Sequence, residues 1–167
     1  MIVYFSATGN SRYCAQLLSD RLGDSLLNAG AQIRQGVAAD LQSETPWVFV
    51  SPTYAWRIPR IFAQWIRRGS FQGSKDAYFV MTCGGETGDA QKYLADLCAE
   101  KGLTYRGLLP IVMPDNYLVM FETPTDAAAR EILSAARPQM EEAARRIKSR
   151  ETVEPLPVKL LDKVKSG

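Results

Sequence analysis

Met1-Ile2-Val3-Tyr4-Phe5-Ser6-Ala7-Thr8-Gly9-Asn10-Ser11 opens the chain. An apolar run passes directly into residues that are small, hydroxylated or amide-bearing. Ile2–Phe5 reads as a short buried strand. Tyr13, Cys14, Leu17, Leu18 and Leu22 then fall on one helical face, and Gly23 supplies a stop. Strand, polar loop and helix in that order form the first half of a βαβ unit.

The same alternation continues downstream. Ser25–Asn28 reads as a weak strand and Trp47–Ser51 as a strong one, followed by a helix from about residue 58 to 68. Ala77–Thr82 reads as the next buried strand. Asp89–Lys101 reads as a helix with Tyr93, Leu94, Leu97 and Cys98 on one face and Gly102 after it. Tyr105–Val112 reads as the last strand. Thr125 is placed to cap a final helix carrying Ile132, Leu133, Ala136, Met140, Ala143 and Ile147, in which Pro138 is expected to cause a kink or a break. Residues 1–150 are read as one domain and residues 151–167, with Pro155 and Pro157, as an extended tail or linker. Alternating strands and helices imply a parallel sheet with right-handed crossovers and helices on both faces. Ligands of such sheets bind outside the carboxyl ends of the strands.

Composition excludes several chemistries. The chain of 167 residues has no histidine, which removes histidine bases, triads and histidine metal ligands. Cys14, Cys83 and Cys98 form neither a C-x-x-C nor an iron–sulfur run, so no metal site is expected and the thiols are read as free. The net charge of +2 does not call for nucleic acid, although residues 130–167 lean basic, with nine Lys/Arg against six Asp/Glu. No apolar run approaches the ~20 residues of a membrane span. The N-terminal residues lack the basic lead of a signal peptide, so a cytoplasmic location is expected.

The first loop, Ser6-Ala7-Thr8-Gly9-Asn10-Ser11, concentrates neutral donors where a helix begins. Backbone N–H groups at a helix start attract an anion, and Gly9 permits close approach. Arg12 is the one nearby cation, so the cradle is made mainly of dipoles. Serine or asparagine before a helix is also an ordinary cap, but the density of donors favours a phosphate site.

This loop resembles the phosphate loop of the flavodoxin family, written T-x-T-G-N-T directly after the first strand. Ser6 and Ser11 stand where the family has threonine. The resemblance covers roughly residues 1–150 and looks closest to the flavodoxin half of bacterial proteins that fuse a flavodoxin to a two-cluster ferredoxin. It implies an α/β, doubly wound five-stranded parallel sheet of order 2-1-3-4-5, with FMN as cofactor. Contacts would come from Ser6, Ala7, Thr8, Gly9, Asn10 and Ser11.

Two further loops agree with that resemblance. Pro52-Thr53-Tyr54-Ala55-Trp56 follows the third strand, where flavodoxins place a loop against the flavin ring. Trp56 is the preferred stacking residue and Tyr54 the alternative; one is expected over the ring and the other packed inward. Thr82-Cys83-Gly84-Gly85-Glu86-Thr87-Gly88 follows the fourth strand. There Thr82, Cys83, Gly84, Gly85, Glu86 and Gly88 would meet the pyrimidine edge, the glycines letting backbone N–H groups reach it. Many flavodoxins place a second aromatic in this loop, and residues 83–88 hold none. Either that face is more open or another segment covers it, and Asp115-Asn116-Tyr117, after the last strand, is the candidate.

Arg57, Arg60, Arg67 and Arg68 fall near one face of the helix after the second loop, opposite Ile58, Ile61, Phe62, Trp65 and Ile66. A solvated face is the plainer reading; a docking surface for an acidic redox partner, or for a nucleotide phosphate, is the functional one. Receiver domains need acidic residues where Ser6-Ala7-Thr8 and Ser51-Pro52 stand. Low-molecular-weight phosphatases need C-x5-R, which neither Cys14 nor Cys83 begins. The P-loop signature is absent. The expected function is FMN-mediated electron transfer with a redox partner protein of ferredoxin type. The alternatives are an FMN-dependent NAD(P)H or quinone oxidoreductase and a flavin-free interaction domain. No catalytic side chain is named, because the redox chemistry belongs to the cofactor.

Overall fold

The computed structural model describes residues 1–114 and 125–155. Seven strands and five helices follow one another: β1 (Ile2–Tyr4), α1 (Asn10–Leu22), β2 (Leu26–Asn28), α2 (Ala29–Arg34), β3 (Asp40–Ser43), β4 (Trp47–Pro52), α3 (Arg60–Arg68), β5 (Ser70–Gly73), β6 (Asp76–Cys83), α4 (Ala90–Lys101), β7 (Thr104–Val112) and α5 (Asp126–Lys148). The main sheet is five-stranded and parallel, in the order β2-β1-β4-β6-β7. Counting only those five strands, this is the expected order 2-1-3-4-5.

Alternate residues of the central strands point to opposite faces, and both faces are covered. Val48, Val50, Tyr78 and Val80 meet Cys14, Ala15 and Leu18 of α1 and Ala136, Met140, Ala143 and Ile147 of α5. Phe49, Ala77, Phe79 and Met81 meet Phe62, Trp65 and Ile66 of α3 and Leu94 and Leu97 of α4. Each large side chain so buried contributes about 1.5–3 kcal/mol, which is why short strands of low polarity hold the sheet.

Three features depart from the sequence reading. Residues 29–43 form α2 and β3, and β3 pairs in parallel with β5 as a separate two-stranded sheet. Their sequence lacks an apolar run; Phe71 of β5 packs edge-on against Trp47 at 5.1 Å and Phe49 at 5.5 Å, so tertiary contacts hold the small sheet in place. Pro138 does not break α5, which runs from Asp126 to Lys148 with the proline inside it. Pro138 removes the N–H that would serve the Ser134 carbonyl, but both residues lie on the exposed side while Ala136, Met140, Ala143 and Ile147 anchor the helix. Ile61, read with the apolar face of α3, is half exposed.

Residues 151–153 dock on the domain. Val153 N–H donates to the Arg106 carbonyl at 2.7 Å, and Tyr78 Oη donates to the Glu151 carbonyl at 2.8 Å. The β6–β7 register slips by one residue here, Ala77 facing Tyr105 and Tyr78 facing Gly107. The bulge leaves Arg106 outside the ladder, so its carbonyl is available to Val153.

Candidate functional site

β1, β4 and β6 are neighbours, so the loops that leave their C-terminal ends lie side by side. The chain reverses its winding direction between β1 and β4, the switch point where open α/β sheets bind ligands.

The first loop turns on Gly9, whose φ is +114°, a region that side chains rarely adopt. Gly9 N–H donates to Ser6 Oγ at 3.1 Å, closing the turn. Gly9 also caps α1 without a side-chain hydrogen bond, and no acidic residue occupies the first turn. The initial N–H groups of the helix have no intrahelical partner, and the dipole favours an anion there. Space is open where a Cβ of residue 9 would stand. Ala7 and Thr8 are exposed on the rim and Ser6 is half-buried.

Two members of this loop use their side chains to hold the site together. Ser11 Oγ and Thr82 Oγ1 share a buried hydrogen bond of 2.8 Å, which ties the first turn of α1 to the end of β6. Asn10 Nδ2 donates to the Pro114 carbonyl at 2.9 Å, joining the same turn to the residues after β7. Pro114 had no signal in the sequence, because a carbonyl acceptor carries no residue-type mark.

The second loop extends the ladder before it turns. Thr53 N–H donates to the Thr82 carbonyl at 2.9 Å. Thr53 Oγ1 is buried without a hydrogen-bond partner. Tyr54 and Arg57 then exchange backbone hydrogen bonds of 2.8 and 3.1 Å around Ala55 and Trp56, whose φ values are +47° and +56°. Two successive non-glycine residues at positive φ belong to a tight mirror-image turn and store strain there. Pro52 is half-buried, Ala55 exposed, Tyr54 half exposed, and Trp56 half-buried against Gly88.

The third loop begins at Cys83, which ends β6 and is buried; burial pushes its thiol up from its ordinary pKa. Met113 N–H donates to the Cys83 carbonyl at 2.9 Å. Gly84, Gly85 and Glu86 are exposed, and a Cβ at Gly85 would meet nothing. Gly88 has φ +53° and lies so close to the Trp56 indole that no side chain could stand at 88 without moving it. The structure therefore gathers the candidate residues of all three loops. Asp115, Asn116 and Tyr117 lie outside the described residues.

The arginine stripe divides. Arg57 stacks on the Tyr93 ring at 3.9 Å and donates to its hydroxyl at 2.8 Å. Arg67 pairs with Glu100 at 2.7 Å. The sequence places Tyr93 on one face of its helix and carries no sign of this contact. Among the described residues no group of His, Cys, Asp and Glu is placed to hold a metal ion, and no helix is long and apolar enough to cross a membrane.

A family profile described as a flavodoxin domain matches residues 1–113. No curated protein matches the chain. Among solved structures, an FMN-dependent NADH-azoreductase from Bacillus anthracis in complex with FMN is similar at 14% identity, covering 88% of this chain and 98% of that one, with a TM-score of 0.51. The Trp repressor binding protein of Bacillus subtilis is 14% identical over 87% of this chain and 96% of its own, with a TM-score of 0.48. The Flv1 flavodiiron core of Synechocystis is 17% identical over 87% of this chain, with a TM-score of 0.44; the chain spans only 35% of its length. At 14% identity the azoreductase shares a fold with this chain. The profile covers the strands and loops that build the site, and on that ground the chain belongs to the flavodoxin domain family.

Proposed function

We propose that the chain binds FMN across the ends of β1, β4 and β6 and serves as an electron carrier for a redox partner of ferredoxin type. The observation that carries the reading is the convergence of the three loops at the switch point. There an uncapped helix start without acidic residues meets a glycine-rich loop and two aromatic side chains. The residues suit the group. Ser6, Thr8 and the first-turn N–H groups would hold the phosphate, and the N–H groups of residues 84–86 would reach the polar edge of the ring. Thr53 Oγ1, buried and unpaired, is a donor awaiting an acceptor.

Bound FMN would supply the redox chemistry, and the protein binding, orientation and electrostatics. Ser11, Thr82 and Asn10 position the loops. Trp56 braces the second loop on the third, and half-exposed Tyr54 is the ring best disposed to cover the flavin. These loops offer hydroxyls, glycines and aromatic rings that bind and cover a flavin, which is all that a carrier requires of the protein. Three buried free thiols suit the reducing cytoplasm. A natural fusion to a ferredoxin would fit the same role.

Titration of apoprotein with FMN and FAD, followed by quenching of flavin fluorescence, tests the cofactor. FMN should bind, and FAD should bind far more weakly, because the first loop is built for a terminal phosphate and lacks the G-x-G-x-x-G of pyrophosphate sites. Comparable affinities would overturn the assignment. Steady oxidation of NADPH or NADH by the FMN-loaded protein would replace the carrier with an oxidoreductase.

A further inference from the structure

α3 and α4 leave a groove of about 300 Å³ between them. Arg57, Arg60, Arg67, Tyr93, Leu94 and Leu97 are among the residues that line it. The described lining contains three arginines and no carboxylate. Arg57 is held flat on Tyr93, and among the described residues the Arg67 guanidinium makes an exposed ion pair with Glu100. Such pairs are worth little and exchange readily. Arg68, part of the stripe read from sequence, does not line the groove.

We propose that this groove is the docking site of an acidic electron-transfer protein, whose carboxylates pair with Arg60 and Arg67. The proposal rests on the carrier reading above. Arg60 and Arg67 stand seven residues apart along one helix, roughly 10 Å at 1.5 Å per residue. A single phosphate cannot bridge that distance; two carboxylates on a protein segment can. Arginine forms bidentate pairs with carboxylates and loses its hydration cheaply, so it suits an interface more than lysine would. The groove starts at Arg57, directly after the turn that carries Tyr54 and Trp56. A partner seated there lies beside the proposed flavin site. Charges of this kind act mainly on the rate of encounter and on specificity.

The test uses FMN-loaded protein and an acidic two-cluster ferredoxin as probe, with binding read by calorimetry at about 0.02 M and about 0.3 M salt, across which screening shortens several-fold. The groove variant is Arg60→Glu with Arg67→Glu. The control is Arg130→Glu with Arg137→Glu, the same change of charge on exposed positions of α5, across the sheet. Wild type should bind saturably at low salt and lose affinity at high salt. The groove variant should bind at least about tenfold more weakly, and the control within about twofold of wild type. Equal losses in both variants would reduce the effect to net charge, and an unchanged groove variant would remove the site; either overturns the proposal. So would a wild type that does not bind, or NADPH that displaces the ferredoxin and loses its own binding in the groove variant. Flavin absorbance reports FMN loading separately, and calorimetry on apoprotein still reads the groove. A failed cofactor and a failed docking site are thereby distinguished.

Discussion

The indole of Trp56 rests on Gly88, so the loop after β4 and the loop after β6 are braced through one aromatic side chain and one glycine. Gly88 is doubly constrained, by φ +53° and by that contact. Gly88→Ala should cost about 1–2 kcal/mol for the left-handed backbone alone, with more for displacing the indole. Thermal unfolding should shift down by several degrees, and flavin affinity should fall with it. A variant with unchanged melting and unchanged FMN titration would show that the two loops move independently.

Tyr54 and Trp56 should separate on two readouts. Trp56→Ala removes a packed side chain and should lower both apoprotein stability and flavin affinity, the latter by roughly 1–3 kcal/mol, or about tenfold to a hundredfold. Tyr54 is 51% exposed in this structure. Tyr54→Ala should leave apoprotein melting near wild type while raising the FMN dissociation constant about tenfold, the loss of one aromatic contact. If only Trp56→Ala affects binding, Trp56 itself covers the ring.

Thr8 and Asn10 should also part company. Thr8 lies on the exposed rim of the proposed phosphate cradle, whereas the Asn10 amide is engaged with the Pro114 carbonyl. Thr8→Ala should weaken FMN by about 0.5–1.5 kcal/mol, one hydrogen bond, and leave riboflavin unchanged. Asn10→Ala should weaken both flavins, because it releases the loop from the end of β7. Equal effects of Thr8→Ala on FMN and riboflavin would move Thr8 off the phosphate.

The three site loops were legible because β1, β4 and β6 are near-continuous apolar runs that lead into serine, threonine or glycine, whereas the order of the main sheet came from the resemblance of the first loop to the flavodoxin family. The sharing of work within the loops was not legible. Ser11 looked like a phosphate donor, yet its hydroxyl is paired with Thr82, a residue 71 positions away. Arg57 looked like one of four equivalent charges, yet it is stacked on Tyr93 of the next helix. Such pairings depend on which strands are adjacent and on the register between them. The small β3–β5 sheet was missed for the same reason: its stability lies in Phe71 meeting Trp47 and Phe49 rather than in its own sequence.

Val153 should act as a clasp on the far edge of the sheet. It is 9% exposed, its N–H is held by the Arg106 carbonyl, and it covers Gly107, filling the space that a side chain there would need. Val153→Asp would bury an unpaired carboxylate beside β7 and should destabilise the domain by about 1–3 kcal/mol. The clasp lies at the opposite end of β7 from the site, so FMN affinity in the folded variant should remain that of wild type. A loss of FMN binding without a loss of stability would contradict this separation.

The thiols give part of the alkaline pH dependence, beside the Tyr78 and Tyr105 hydroxyls, which burial also pushes up. Cys14 and Cys98 are buried under α1 and α4, and burial pushes both up to about 12 from an ordinary value of 9.0. Burial raises Cys83 as well, in the same direction. A thiol whose pKa is higher in the folded state binds its proton more tightly there than in the unfolded chain. Its contribution to stability is fully present below pH 9 and is lost progressively as pH rises from about 9 to about 12. Stability in denaturant should therefore fall across that interval, and Cys14→Ala with Cys98→Ala should flatten the fall while lowering stability at pH 7. A thiol-specific reagent at pH 8 should react slowly with the native protein and rapidly with all three cysteines once it is unfolded, since the thiolate is the reactive form. Of the three, Cys83 should react first, because it ends β6 at the loops while the other two lie inside helices packed on the sheet. Rapid native labelling of Cys14 or Cys98 would show that α1 or α4 opens from the sheet far more often than their buried contacts imply.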